Sequence, residues 1–225
     1  MDFLLEIGVA ETLGILAFIS HISAYLIYTY YIFKEDIRPN AASWFMWLIG
    51  GWVEYITYDA LGESHWSTSA LPLACVIGLT IILSATIFLQ IKNRLAKEGK
   101  RICYHAPEKG DYYLTGFDIS ALLIWIYSHA AAFANILAVS TSIISFIPIW
   151  KTTYQTGEER ATPWALWVFA YICMTGAVLI EGGLDIAYKL FYPIYYLFLH
   201  IVVLLLCFKQ VRNFIATKIM LKRSS

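Results

Sequence analysis

Residues 43–58 read SWFMWLIGGWVEYITY, and residues 163–176 read PWALWVFAYICMTG. Each stretch opens with a small or turn-forming residue, which two tryptophans follow at a spacing of three within an apolar run. The openings lie 120 residues apart, and only the first stretch contains a carboxylate, Glu54. Self-similarity at a fixed separation indicates an internal duplication. The unmatched Glu54 predicts that one copy has an additional chemical role.

The composition predicts a chain that lies in a bilayer. Of the 225 residues, 60% are hydrophobic and only 14% are charged. Soluble domains are nearer half apolar and a quarter charged, so a soluble protein of this size could not bury so much apolar surface. The formal net charge is zero, which gives no reason to expect binding to nucleic acid. We therefore expect an all-α membrane protein.

Seven apolar segments have the length that a helix needs to cross about 30 Å of hydrocarbon. The least marked boundary separates the fourth segment from the fifth, and we place its turn at residues 127–130, which are the most polar there. The predicted segments are roughly 10–33, 44–61, 70–91, 113–129, 131–152, 163–182 and 190–209.

The positive charges predict the orientation of these seven spans. When the loops are assigned alternately to two sides, Lys189 is the only lysine or arginine on the side of the N-terminus. The other fifteen lie in the loops 34–42, 92–112 and 151–162 or at the C-terminal end. Cytoplasmic loops are rich in lysine and arginine. We expect the N-terminus outside and the C-terminus in the cytoplasm, which requires an odd number of spans.

The duplication extends beyond the tryptophans. Ser20 aligns with Ser140 at the same shift, and Pro72 aligns with Pro193 at a shift of 121. Two groups of three helices with a membrane-crossing connector form a 3+1+3 arrangement of parallel repeats, which is a known transporter design. Interface anchoring is the alternative role of the tryptophans. The predicted units are a first three-helix bundle (1–91), a cytoplasmic loop with linker helix 4 (92–129), and a second three-helix bundle with a cytoplasmic tail (130–225).

The 3+1+3 arrangement and short motifs of the second half resemble the SWEET and PQ-loop superfamily of seven-helix transporters, whereas the first half departs, with Tyr28 and Thr29 where the family has Pro-Gln. Residues 148–151 (PIWK) and 162–164 (TPW) are similar to the family's Pro-Gln, basic residue and helix start. Residues 38–47 (RPNAASWFMW) resemble a group of bacterial proteins with an R-P-N-x-x-S-W-F-x-W signature. The resemblance implies a multi-pass protein of the bacterial inner membrane. Position 149 is Ile rather than Gln, and helices 3 and 7 contain no Asn, so the family's sugar site is not carried over.

Ionisable side chains in the spans are the candidates for a functional site, because they are costly in a membrane and usually face its protein interior. With a rise of about 1.5 Å per residue, Glu54, His21 and His200 lie about 13–18 Å from the cytoplasmic helix ends, near the midplane. Transporters of repeat design bind substrate at that depth. The expected substrate-binding residues are Trp47, Trp167, Glu54, His21, Tyr58, Tyr171, His200 and Ser140.

Glu54 and His21 are also the expected proton-coupling residues. The alternatives are a structural carboxylate that neighbouring hydroxyl groups bind, and histidines that serve only in packing. We interpret Asp118 as a cap or loop contact near the cytoplasmic end of helix 4. Glu181 and Asp185 are candidates for an outer mouth of the pathway. The four cysteines lack paired ligand spacing, so we expect neither a metal site nor a cofactor.

The sequence favours a transporter that moves a small polar or aromatic metabolite by alternating access, with proton coupling. A membrane receptor or assembly factor without transport is the alternative. A membrane-embedded enzyme is a third alternative, but no catalytic motif such as H-E-x-x-H or G-x-S-x-G is present, and we expect no enzymatic activity. The expected partners are a small-molecule substrate and the lipid bilayer. The sequence is also compatible with a homo-oligomer.

Overall fold

The fold is helical throughout the part of the chain that the computed structural model describes, residues 2–37, 39, 41–61, 66–95, 109–183 and 186–223. The helices, in chain order, are α1 (Asp2–Phe33), α2 (Ala41–Asp59), α3 (Trp66–Leu95), α4 (Lys109–Ser128), α5 (Ala131–Thr141), α6 (Ile143–Thr156), α7 (Ala161–Glu181), α8 (Ile186–Cys207) and α9 (Lys209–Arg223).

Among the described residues, five helical segments are long and apolar enough to cross a membrane, and α4 adds a shorter apolar stretch. Large apolar side chains cover the outside of the bundle, and Ile19, Phe88 and Phe198 are each more than half exposed. Lipid is the solvent in which such helices and such a surface are stable, so the chain is a multi-pass membrane protein. The five segments are Gly8–Phe33, Ser69–Lys92, Ala131–Thr156, Ala161–Glu181 and Ile186–Cys207.

The break between the fourth and fifth predicted segments lies where the polar residues indicated it. Helix α4 ends at Ser128 and α5 begins at Ala131. His129 between them adopts a positive φ of 53°, a left-handed conformation that reverses the chain. Helices α5 and α6 form one span that is interrupted only at Ser142, whose backbone stays right-handed helical.

The packing order of the helices places a cavity at the centre of the bundle. Helix α3 packs against both α1 and α2, and α8 packs against α5, α6 and α7. Helix α1 lies along α7, whereas α2 lies along α5. Helix α4 contacts α2, α5 and α6, so it closes the bundle beside α2.

The contact between α1 and α3 depends on a glycine. A Cβ atom at Gly78 of α3 would overlap the ring of Tyr25 on α1. Tyr25 is 5% exposed, and its hydroxyl lies 3.4 Å from the Sγ atom of Cys75, one turn away on α3. A missing side chain lets two membrane helices approach closely, which is how small residues support helix association in lipid.

The repeated tryptophans lie inside the protein. Trp44 and Trp164 are 7% and 3% exposed, and each packs against the second tryptophan of its own stretch at 5.0 and 4.8 Å between ring centroids. An interface anchor would instead present its ring to the headgroup region. The two stretches therefore contribute to the aromatic core.

Several sequence predictions fall outside the described residues. They concern Arg38 and Asn40 of the bacterial signature, most of the basic loop (96–108), and Asp185. The predicted C-terminal tail begins as helix α9. Arg212 of α9 donates from Nη1 to the carbonyl oxygens of Leu206 and Cys207, at 2.7 and 3.0 Å, and so caps the C-terminal end of α8.

Candidate functional site

A small cavity of about 60 Å³ lies where α2, α4, α6 and α8 converge. Helices α1, α3 and α7 complete its wall with Tyr25, Cys75 and Tyr171. A water position needs about 10–15 Å³ in this measure, so the cavity has room for about four to six waters. Its polar lining side chains include two carboxyl groups.

The first carboxyl group belongs to Glu54 on α2, which is 5% exposed. The hydroxyl of Tyr196 on α8 donates a hydrogen bond to Oε1 of Glu54. Asn135 on α5 donates from Nδ2 to the backbone carbonyl oxygen of Glu54 and to Oγ1 of Thr57, at 3.3 and 3.1 Å. These contacts fix the α2 backbone and one carboxylate oxygen, so Glu54 has a defined position.

The second carboxyl group belongs to Asp118 on α4, which is 1% exposed. Its Oδ2 atom is buried and has no hydrogen-bond partner in the ranges that the structure describes. A Cβ atom at Gly50 of α2 would lie 2.6 Å from that oxygen, so the glycine makes room for the carboxylate. Asp118 and Glu54 are close enough to repel each other when both are charged. The expectation that Asp118 caps a helix end was wrong, because α4 begins nine residues earlier at Lys109.

Helix α8 places a tyrosine and a histidine one turn apart on the cavity wall. Nδ1 of His200 lies 2.7 Å from the carbonyl oxygen of Tyr196. Because a carbonyl oxygen only accepts, we assign the proton of the neutral ring to Nδ1, which leaves Nε2 as an acceptor. Spacing of four residues brings both side chains to the same face of the helix.

Aromatic rings form most of the remaining wall. Trp47 and Phe146 stack at 5.9 Å between centroids with an interplanar angle of 15°. Tyr171 and Tyr196 stack at 5.6 Å and 12°. Stacked and edge-to-face rings are rigid, so the cavity has preformed flat walls.

The structure brings four of the eight predicted substrate-binding residues to the cavity: Trp47, Glu54, Tyr171 and His200. Trp167 lies behind that wall and packs against Tyr25 and His200 at 5.1 and 5.7 Å. Tyr58 lies at the C-terminal end of α2, where its hydroxyl donates to the carbonyl oxygen of Lys189 at 3.2 Å. Ser140 is half-buried on α5, and its carbonyl oxygen accepts a bond from Tyr195 at 2.8 Å.

His21 lies behind the cavity wall rather than on it. Its ring is fully buried and contacts the rings of Tyr25 and Tyr171 at 5.2 and 5.4 Å. Neither ring nitrogen has a hydrogen-bond partner among the described residues. A buried polar group without a partner lowers stability by about 1–3 kcal/mol.

Replacement of His21 should therefore stabilise the ligand-free protein against unfolding. The His21→Leu protein is expected to unfold at a higher temperature, because an apolar side chain of similar size removes the unpaired nitrogens. Thermal unfolding in detergent measures this change, with Thr12→Val on the exposed side of α1 as the control. A lower midpoint would mean that water or a proton satisfies the ring, which favours the coupling role of His21.

Sequence reasoning missed the residues that complete the site. Tyr196 could have been found from its spacing, since it lies four residues before His200 on the same helix. Asp118 carried the same signal as Glu54, an ionisable residue within an apolar run. Ser142 and Ser145 gave no signal, because serine is common in membrane helices. Within the described ranges no cluster of three His, Cys, Asp or Glu residues is placed to hold a metal ion.

The fold and the cavity define the class: a helical multi-pass membrane protein with an acidic, aromatic cavity inside its bundle. Comparison with known proteins adds no family, since the chain matches no protein-family model, no curated protein and no solved structure. The similarity to SWEET and PQ-loop proteins rests on the residues quoted above.

Proposed function

We propose that the protein is a SWEET-like transporter of a small polar or aromatic metabolite, coupled to protons through Glu54. The observation that carries this proposal is a cavity lined by carboxyl groups at the junction of the two halves of the chain. Contacts between the halves exist on both sides of that cavity. Such a site fits alternating access, in which the contacts on either side open in turn.

The proposed topology has seven spans, with α2 and α4 in addition to the five apolar segments. Helix α2 has 19 residues and α4 has 20, lengths of about 28–30 Å at 1.5 Å per residue. The charge asymmetry of the loops supports an outside N-terminus and a cytoplasmic C-terminus. The proposed location is the bacterial inner membrane.

The packing order supports the proposed 3+1+3 repeat. In each half, the third helix packs against the first and the second: α3 against α1 and α2, and α8 against α5, α6 and α7. If the two halves are exchanged, α5 takes the place of α1 and α2 takes the place of α7. The contact between α1 and α7 then corresponds to a contact between α5 and α2, and both contacts are present. Trp167 and Trp47, which match at the shift of 120 residues, each pack against a ring of the opposite half, Tyr25 and Phe146, at 5.1 and 5.9 Å.

On the cytoplasmic side, the loop between α6 and α7 binds the end of α1. The carboxylate of Glu159 accepts hydrogen bonds from the hydroxyl of Tyr28 and from Nε1 of Trp164, at 3.2 and 2.8 Å. Arg160 and Asp36 add an exposed ion pair at 3.7 Å, which contributes little by itself. Loss of water around Glu159 raises the pKa of its carboxyl group. The carboxylate that accepts these hydrogen bonds is therefore protonated at a higher pH than an exposed glutamate would be. We call these contacts the inner clasp.

On the outer side, α2 binds the start of α8. Tyr58 donates to the carbonyl oxygen of Lys189, and its ring packs against Tyr192 at 5.2 Å. We call this contact the outer clasp. Both clasps are closed around the cavity, which fits an occluded state between the two open ones.

Cys75 gives a test of alternating access that needs no substrate, because it lines the cavity. In a protein with Ser at the other three cysteines, Tyr28→Phe should speed labelling of Cys75 from the cytoplasm several-fold, since one hydrogen bond of the inner clasp is lost. Tyr58→Phe should speed labelling from outside. A membrane-impermeant thiol reagent, added to either side of sealed vesicles, measures both rates.

Tyr30→Phe is the matched control for this labelling, because Tyr30 lies on α1 but is 53% exposed. Its labelling rates should equal those of the parent protein. Access from one side only, in every variant, would contradict alternating access. That result would favour the receptor or assembly factor, which holds a ligand without moving it.

A flux measurement tests transport itself. Proteoliposomes with a pH-sensitive dye inside report proton movement when sugars, amino acids, nucleosides and small amines are added in turn. We expect at least one class to move protons in vesicles with the protein and not in empty ones. Absence of flux, together with saturable binding in detergent, would replace the transporter with the receptor.

A further inference from the structure

Three hydroxyl protons of the cavity lining, those of Ser142, Ser145 and Tyr196, are already committed to the protein. The serine hydroxyls of Ser142 and Ser145 donate to the carbonyl oxygens of Val139 and Ser142, at 2.7 and 2.6 Å. The hydroxyl of Tyr196 donates to Glu54. These hydroxyl groups can still accept hydrogen bonds from a ligand through their oxygen lone pairs. A ligand that needs hydrogen-bond donors, such as an anion, finds few of them here.

Formal charge points in the same direction. Glu54 and Asp118 both line the cavity and are 5% and 1% exposed, and no lysine or arginine belongs to its described lining. Oδ2 of Asp118 has no partner in the described part of the chain. Two buried carboxylates without a cation are unstable, so the pair needs either protons or a positively charged ligand.

The aromatic walls suit an organic cation rather than a hard metal ion. The rings of Trp47, Phe146, Tyr171 and Tyr196 line the same cavity as the two carboxyl groups. The face of an aromatic ring attracts an ammonium group that is within about 6 Å of its centroid, and the attraction is stronger where water is excluded. Hard cations require several oxygen ligands instead of ring faces.

The volume limits the size of the ligand. The cavity of about 60 Å³ holds about four to six water positions, which corresponds to a molecule with a similar number of non-hydrogen atoms. The buried indole Nε1 of Trp47 has no partner within the described chain, so the lining also has a donor for one acceptor atom of a ligand.

We propose that the cavity binds a compact organic ammonium ion, whose N–H groups contact the carboxylates of Glu54 and Asp118 while its carbon atoms face the aromatic rings. This inference deepens the proposed transport function and rests on it only for the statement that the ion is cargo. An ammonium ion supplies both the donors and the positive charge that the cavity lacks. Asp118 is thereby a binding residue.

Protons and the ammonium ion would compete for the same two carboxylates. Ammonium binding then releases a proton, and affinity rises from mildly acidic to neutral pH. Exchange of one cation for the other gives antiport without a further coupling site. The other titratable groups that face the carboxyl pair are Cys75 on α3, Tyr25 on α1, Tyr171 on α7, and Tyr196 and His200 on α8.

Isothermal titration of the full chain in detergent tests the ligand class. The probes are isopropylammonium and isopropanol, which share shape and size but differ in charge, with acetate as an anion. We expect saturable binding of isopropylammonium alone, release of about one proton, and at least about tenfold weaker binding by Asp118→Asn. Equal binding of isopropanol, or unchanged binding by Asp118→Asn, would overturn the proposal.

Two controls keep the result interpretable. Glu158→Gln removes an exposed carboxylate outside the cavity and should leave the affinity unchanged. The ligand-free Asp118→Asn protein should melt no lower than the parent, because a buried unpaired charge is removed. If that variant does not fold, the comparison of isopropylammonium with isopropanol on the parent protein still decides.

The outcomes also separate this inference from the transport proposal. Isopropylammonium that binds but is not moved across proteoliposomes contradicts transport and supports the ligand class. Movement of another compound class without any binding of isopropylammonium supports transport and overturns the ligand class.

Discussion

Proteoliposomes that contain the Glu54→Gln protein should lose proton-driven exchange, with accumulation of isopropylammonium at least about tenfold below that of the unchanged protein. Glutamine keeps the size of the side chain and an oxygen that can accept the bond from Tyr196. It cannot gain or lose a proton. The change therefore preserves the position of the side chain and removes its charge.

The measurement is uptake under an imposed pH gradient, repeated without the gradient. The unchanged protein should respond to the gradient, whereas Glu54→Gln should give one low rate in both conditions. Glu11→Gln is the matched control, since it is the same substitution at an exposed position of α1 outside the cavity. Uptake by Glu54→Gln at the full rate, with unchanged pH dependence, would refute the coupling role and leave Glu54 structural.

A result in which Glu54→Gln binds isopropylammonium normally but loses pH dependence would have a separate meaning. Asp118 would then suffice for binding, and Glu54 would serve the proton alone. The double variant Glu54→Gln with Asp118→Asn separates these roles, because groups that share one ligand show non-additive effects.

Local sequence rules predicted the helical part of the fold well, for physical reasons. The turn near His129 was visible because polar residues cannot continue an apolar span at low cost. Glu54 was visible because a lone carboxylate inside a membrane helix needs partners. Such signals depend on one segment and on the solvent around it.

The partners of Glu54 depend on the three-dimensional packing, which one sequence does not specify. Tyr196 lies 142 residues away on another helix, and its contact with Glu54 requires α2 and α8 to approach across the halves. The same limit applies to His21, whose depth was predicted but whose orientation behind Tyr25 and Tyr171 was not. Depth along a helix follows from rise per residue, whereas the direction of a side chain depends on which neighbour covers it.

The Gly78→Ala protein should be less stable, with a fall in the unfolding midpoint of roughly 2–12 °C. The added Cβ atom would overlap the ring of Tyr25, which is buried and fixed between α1 and α3. Overpacking of this kind costs about 1–3 kcal/mol, and each kcal/mol shifts the midpoint of a chain of this size by about 2–4 °C. Thermal unfolding in detergent measures the change.

Gly116→Ala is the matched control, because a Cβ atom at Gly116 of α4 meets no atom within 4 Å. That variant should be as stable as the parent or more stable by about 0.5–1 kcal/mol, since alanine favours the helix over glycine. Opposite signs for the same substitution would show that the close approach of α1 and α3, rather than the loss of a glycine, causes the damage.

A second change at Tyr25 tests whether the overlap with the ring is the cause. Tyr25→Leu removes the ring that the alanine would meet. The double variant of Tyr25→Leu with Gly78→Ala should therefore lose less stability than the two single variants lose together. Tyr25 also lines the cavity and contacts Trp167 at 5.1 Å, so the rescued protein should fold but bind isopropylammonium less tightly. Additive losses of stability would mean that α1 and α3 adjust separately and that Gly78 does not set their separation.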